Sequence, residues 1–99
     1  NMKTLDEVKA ILKSAEKDIK EKYHVKNIAI FGSYVRGDQT PSSDIDILVE
    51  FVKGKKTFNN YINLKFFLEE LLNTKVDLVI KDSIKPRYKE YIKKDLTYV

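Results

Sequence analysis

Two neighbouring stretches, Gly32-Ser33-Tyr34-Val35-Arg36-Gly37 and Ser43-Asp44-Ile45-Asp46-Ile47-Leu48-Val49, decide how this chain folds. From Ile45 to Phe51 the second is a nearly continuous apolar run broken by Asp46, which reads as a strand. Side chains alternate along a strand, so Asp44 and Asp46 project from one face, about 7 Å apart, while Ile45, Ile47 and Val49 point the other way. Upstream, Val25–Phe31 is rich in β-branched and aromatic residues and predicts a strand that Gly32 ends. Residues 32–43 hold Gly, Pro, Asp, Thr and Ser and predict a turn-rich loop, with room for one helical turn near Ser33–Arg36.

Working outward, Val76–Ile80 reads as a third strand and repeats the anomaly, with Asp77 among Val76, Leu78, Val79 and Ile80. Thr4 followed by Glu7 is a capping box, predicting a first helix from Leu5 to about Tyr23. Leu5, Val8, Ile11, Leu12, Ala15 and Ile19 give that helix one apolar stripe. A second helix is expected over Phe58–Asn73, and a third from Pro86 to about Lys94, since proline suits a first helical turn. Leu96–Val99 is expected as a short edge strand. The order of helices and strands predicts an α/β (α+β) fold: a small mixed sheet with helices packed on one face. Residues 2–99 read as a single domain, and Asn1 ahead of Met2 reads as an added residue.

Two carboxylates on one sheet face repel each other and depress strand propensity, and a divalent cation offsets that repulsion directly. If the second and third strands are neighbours, Asp77 joins Asp44 and Asp46 in a hard-oxygen site suited to Mg²⁺ and substrate phosphates. Two such ions would stabilise both the attacking and leaving oxygens of an in-line displacement. Gly32 would let the backbone approach a ligand closely, and Ser33 with nearby N–H groups could hold terminal phosphates of a nucleotide. Arg36 and Lys26 are candidate additional phosphate ligands. Each residue alone has a plainer reading: a Gly-Ser turn, Asp44 starting a strand, Asp77 paired with a lysine. Asp46 is the hardest to explain that way, because it interrupts an apolar strand.

Composition excludes several classes. The absence of cysteine rules out disulfides and thiolate chemistry and fits a reducing, cytoplasmic setting. The sole histidine, His24, sits at a helix–strand junction and reads as a boundary residue. The glycine turn lacks the Gly-Lys-Ser/Thr ending of a P-loop. No apolar run is long enough for a membrane span, and no signal-peptide pattern opens the sequence. A net charge of +4 would draw in a polyphosphate or acidic partner but falls short of a nucleic-acid footprint. The positive charge thickens near the end, at Lys81, Lys85, Arg87, Lys89, Lys93 and Lys94, where a solvated helix face is the simpler reading. The tyrosines read as core and rim residues rather than a base-stacking platform.

Gly32-Ser33, ten intervening residues and Asp44-Ile45-Asp46, with a later strand acid at Asp77, resembles the signature of nucleotidyltransferases related to DNA polymerase beta. The run from Gly32 through Arg36-Gly37 to Ser43–Leu48, in so short a chain, is similar to the minimal nucleotidyltransferase (MNT) group. The resemblance implies the polymerase beta-like fold and Mg²⁺-dependent transfer of a nucleoside monophosphate from ATP to a hydroxyl. It assigns Gly32 and Ser33 to the triphosphate, Asp44 and Asp46 to both metals, and Asp77 to one metal and the acceptor hydroxyl. MNT proteins often pair with a HEPN-domain ribonuclease toxin, and some transfer AMP to its tyrosine. Three readings follow: an adenylylating antitoxin, an antitoxin that only masks its partner, and a transferase acting on RNA or a small molecule with a separate binding subunit.

Overall fold

The computed structural model describes residues 2–99; Asn1, read above as an added residue, lies outside them. Thr4 opens α1 (Leu5–Ser14) with the expected capping box, its hydroxyl accepting from the Glu7 N–H while Glu7 accepts from the Thr4 N–H. The helix does not run on to Tyr23. Ser14 Oγ donates to the Ile11 carbonyl at 2.6 Å, and the Ala15 N–H reaches back to Leu12 at 3.2 Å. A hydroxyl bonding into its own helix competes with the ladder and bends it, so a second helix, α2 (Glu16–Glu21), continues beyond Ala15. Both pieces keep the apolar stripe, burying Val8, Leu12 and Ile19.

His24, in the left-handed region at φ 61°, turns the chain into β1 (Val25–Phe31). A one-residue irregularity between Val25 and Asn27 leaves Lys26 and Asn27 exposed and lets Val25 share the core with Ile28 and Ile30. After the helical turn α3 (Ser33–Arg36) and a loop comes β2 (Ile45–Phe51), antiparallel to β1. A parallel neighbour requires a crossover. Helix α4 (Phe58–Leu72) supplies it, with Thr57 accepting from the Asn60 N–H at its start and Asn73 left-handed at its end. Strand β3 (Val76–Ile80) then pairs parallel with β2. A 3-10 turn (Lys81–Ser83), α5 (Pro86–Lys93) and the two-residue edge strand β4 (Thr97–Tyr98) complete the chain, in the sheet order β3-β2-β1-β4.

The main core lies between one sheet face and α1, α2 and α4, where Ile30, Ile45, Ile47, Leu64, Leu68 and Leu72 are fully buried. Helix α5 departs from the one-face arrangement expected for the helices. It places Ile92 over Ala29, Phe31 and Leu48 on the opposite face. The physical reason is that β1 and β2 carry apolar side chains on both faces, and each face needs cover. Helix α5 is short and contributes one buried residue, so the part of that face at Asp46 and Asp77 stays open. No helix among the described residues is long and apolar enough to cross a membrane.

Candidate active site

The parallel pairing of β2 with β3 sets Asp46 directly beside Asp77 in register, and the antiparallel pairing with β1 sets Phe31 on Asp46's other side. Because Ile45, Ile47, Val76 and Leu78 are buried in the main core, alternation turns both acids to the other face. Asp44 lies just ahead of β2, where the Ile45 N–H donates to the Lys75 carbonyl at 2.9 Å. Asp44 and Asp77 are exposed and Asp46 is half-buried.

Asp46 senses the other two acids. The Asp46 carboxyl is pushed up from 3.8 to about 6, first by burial, then by the charges of Asp77 and Asp44 and a hydrogen bond shared with Asp77. Arg36 pulls the other way and does not prevail. None of the three makes an ion pair among the described residues. Nor is any group of three or more His, Cys, Asp or Glu side chains among the described residues placed to hold a metal ion as it stands. The arrangement is an open-faced set of hard oxygen donors around a carboxyl whose nearby positive charge, Arg36, does not offset its acidic neighbours. Such a set suits a divalent cation that keeps water and takes part of its shell from phosphate oxygens.

Gly32 explains itself against Asp46. Its backbone sits at φ 78°, ψ −147°, a region open essentially to glycine alone. A Cβ at Gly32 would run into the Asp46 carboxylate, Oδ2 first. This glycine thus approaches the acid itself closely. Beyond it, the Gly32 carbonyl accepts from the Val35 and Arg36 N–H groups at 3.0 and 3.1 Å. The Ser33 and Tyr34 N–H groups precede the first bond inside that turn and stay available. Gly37, left-handed at φ 80°, closes the turn with its N–H on the Ser33 carbonyl at 2.9 Å. Ser33 itself is half-buried.

The structure separates the two basic candidates. Arg36 lies on the turn, but its guanidinium is engaged: Nε donates to Asp38 at 3.2 Å and Nη1 to Asp95 at 3.1 Å. Those bonds, Asp38 first, raise its pKa further. Lys26 is not part of the site. It stands at the far end of β1 beside Glu50, roughly 20 Å along the strand from Gly32 at ~3.3 Å per residue. Phe31 and Asp95 were not anticipated. Register to Asp46 gives Phe31 its place, whereas nothing in the sequence around Asp95 signals its tie to Arg36. Next to Asp44 an open cleft of about 550 Å³ is lined by Lys3, Tyr34, Ser43, Asn73 and Lys75, among others.

With this geometry in view, the chain was compared with known proteins. Residues 12–99 match the model of the nucleotidyltransferase domain family. A candidate protein adenylyltransferase of Methanocaldococcus jannaschii, MJ1379, is 52% identical over 100 residues, covering 99% of this chain and 100% of that protein. The protein adenylyltransferase MntA of Thermococcus cleftensis is 40% identical over 98 residues, covering 99% of this chain and 98% of that protein. Among solved structures, a candidate minimal nucleotidyltransferase superposes with a TM-score of 0.83 at 27% identity, covering 100% of this chain and 99% of that one. A toxin–antitoxin crystal structure with AMP-PNP gives 0.71 at 26% identity, covering 92% of this chain and 70% of that one. The Gly32-Ser33 turn wrapped against Asp46, the acid paired with it on β3 and these likenesses converge: the chain belongs to the nucleotidyltransferase domain family, in its minimal form.

Proposed function

We propose that this chain is a protein adenylyltransferase acting as an antitoxin: with Mg²⁺, it transfers AMP from ATP to a hydroxyl, a tyrosine's, on a HEPN-domain ribonuclease toxin. The observation that carries the reading is the register pair Asp46–Asp77 with Asp44 beside it, three acids whose mutual repulsion the fold leaves uncompensated. The relatives named as protein adenylyltransferases and the toxin–antitoxin structure holding an ATP analogue support the acceptor class and the nucleotide. On this reading residues 2–99 act as one domain, in the cytoplasm.

The residues divide the work. Asp44, Asp46 and Asp77 would hold two Mg²⁺ ions, which when bound supply neutralisation of the charge on the reacting phosphates. Ser33 and the free N–H groups at the start of α3 hold the β- and γ-phosphates. Gly32 keeps the backbone out of the space Asp46 occupies. Arg36 adds positive charge at the turn while Asp38 and Asp95 fix its orientation. The acceptor oxygen forms a new bond to the α-phosphorus, the bond from that phosphorus to the bridging oxygen breaks, and pyrophosphate leaves. The acceptor's proton passes to Asp77, the more exposed acid of the register pair. AMP attached beside a ribonuclease site would place a bulky anion where substrate phosphate must bind.

The test is to incubate the chain with labelled ATP, Mg²⁺ and a HEPN-domain ribonuclease with which it forms a complex, then measure label on that protein and its ribonuclease activity. Asp46→Ala is expected to abolish labelling and leave complex formation intact. An Asp46→Ala protein that silences the ribonuclease as well as wild type does would show that masking, not transfer, is the biological mechanism.

A further inference from the structure

Past the acids the same sheet face runs on beneath α5. Leu48 follows Asp46 by two residues on β2 and Val79 follows Asp77 by two on β3, so both lie on the same face about 7 Å farther along. There the face becomes the floor of a groove of about 410 Å³, walled by the 3-10 turn, α5 and β4. Half-buried Ile84 and Leu96 supply most of the accessible apolar surface, with buried Leu48 and Ile92 beneath, and Lys89 and Lys93 stand exposed on the rim. Lys81 also lines it but is drawn toward Glu50 at 3.7 Å, and Asp82 is the one acid in the lining. The groove is thus apolar below, cationic above, and continuous with the paired acids.

Resting on the function proposed above, we infer that this groove is where the acceptor docks, and that it takes an extended polypeptide segment carrying a tyrosine flanked by acidic residues. The direction of the chemistry locates it. In-line displacement puts the incoming oxygen and the departing pyrophosphate on opposite sides of the α-phosphorus. The Gly32–Ser33 turn, which holds the departing end, lies at the end of β1 where Phe31 pairs with Asp46. The acceptor must arrive from the other side, along Leu48 and Val79. A tyrosine side chain reaches about 6–7 Å from backbone to hydroxyl, comparable to two residues of strand rise. A segment seated in the groove two residues past the acids therefore presents its hydroxyl at Asp46 and Asp77. The apolar floor suits a polypeptide better than a nucleic acid backbone, whose phosphates would be stranded over Ile84 and Leu96. The rim lysines favour acidic flanks.

Two synthetic peptides with one central tyrosine, one flanked by glutamates and one by lysines, test this. Binding is followed by fluorescence anisotropy, AMP transfer by label from ATP, and ATP affinity with a fluorescent analogue. The wild-type chain is expected to bind and label the acidic peptide in preference to the basic one. The Lys89→Glu/Lys93→Glu protein, altered only at exposed positions, should bind the acidic peptide at least 10-fold more weakly with ATP affinity unchanged. Ile84→Glu should act likewise through the floor. The docking site is overturned if neither variant alters peptide binding, if ATP affinity falls instead, if the wild type binds neither peptide, or if a single-stranded RNA oligonucleotide displaces the acidic peptide. Peptide binding that the variants weaken, with no AMP transferred by wild type, would uphold the groove and sink the protein-adenylylation reading.

Discussion

Replacing Asp46 with asparagine should stabilise the metal-free protein, and the gain should depend on pH in a defined direction. In the folded chain this carboxyl is held at about 6 rather than 3.8, by burial and by the charges of Asp77 and Asp44. Between those values the folded state binds more protons than the unfolded state, so wild-type stability is full below about pH 4 and falls as pH rises through 6. The whole difference corresponds to at most about 3 kcal/mol. The site opens to solvent, which screens the charges, so a loss of about 1–2 kcal/mol is expected between pH 4.5 and 7.5. Glu50, whose carboxyl is lowered chiefly by its Asn27 hydrogen bond, acts in the opposite sense and below this window. Urea denaturation with EDTA across that range, wild type against Asp46→Asn, isolates the effect, because every other titrating group is common to both chains. The variant should match wild type near pH 4.5 and exceed it by about 1–2 kcal/mol at pH 7.5. A stability difference that stays constant with pH would refute the account of why Asp46 is perturbed.

The other expectations follow from the same contacts. Mg²⁺ at millimolar concentration should raise the wild-type melting temperature at pH 7.5, and the Asp44→Asn/Asp46→Asn protein should not respond in a thermal scan. Gly32→Ala should cost the fold about 2–3 kcal/mol by denaturant titration, through its positive φ and its collision with the Asp46 carboxylate. In an Asp46→Ala background that cost should shrink, a coupling readable from the double-mutant cycle. Ser33→Ala should leave stability unchanged and weaken ATP-analogue binding by about 1–2 kcal/mol, the scale of a hydrogen bond to a charged group, in a calorimetric titration.

The strands were legible because their signals are local. Val25–Phe31, Ile45–Phe51 and Val76–Ile80 carry β-branched runs bounded by turn residues, and the structure bounds them where the sequence does. The first helix was not, because its break depends on whether the Ser14 hydroxyl turns to solvent or to Ile11, which the 3.6-residue period does not encode. The position of α5 was hidden for a related reason. One buried residue, Ile92, decides which face it covers, and that choice depends on Ala29, Phe31 and Leu48, residues 44 to 63 positions away in sequence.

The acids show how a site can be read from its conflict with the fold. Asp46 stands out because an apolar strand gains nothing from an acid, and Asp77 because the same misfit recurs on the next strand. What sequence left conditional was their adjacency, which requires β2 and β3 to be neighbours; the parallel register supplies it and makes the repulsion direct. Gly32 belongs to the same conflict. Sequence presents it as room for a ligand, and the structure adds that its missing Cβ also leaves room for Asp46, at a backbone angle that only glycine holds cheaply. Lys26 fails by the converse logic: a basic residue near a motif in sequence is separated from it by the full length of an extended strand. Two features that lower the stability of this sheet, a strained glycine and a pair of adjacent acids, occur in one place and fit each other. Independent accidents of sequence would not need to be complementary, and the cation-binding site proposed above for phosphate chemistry would require that they be.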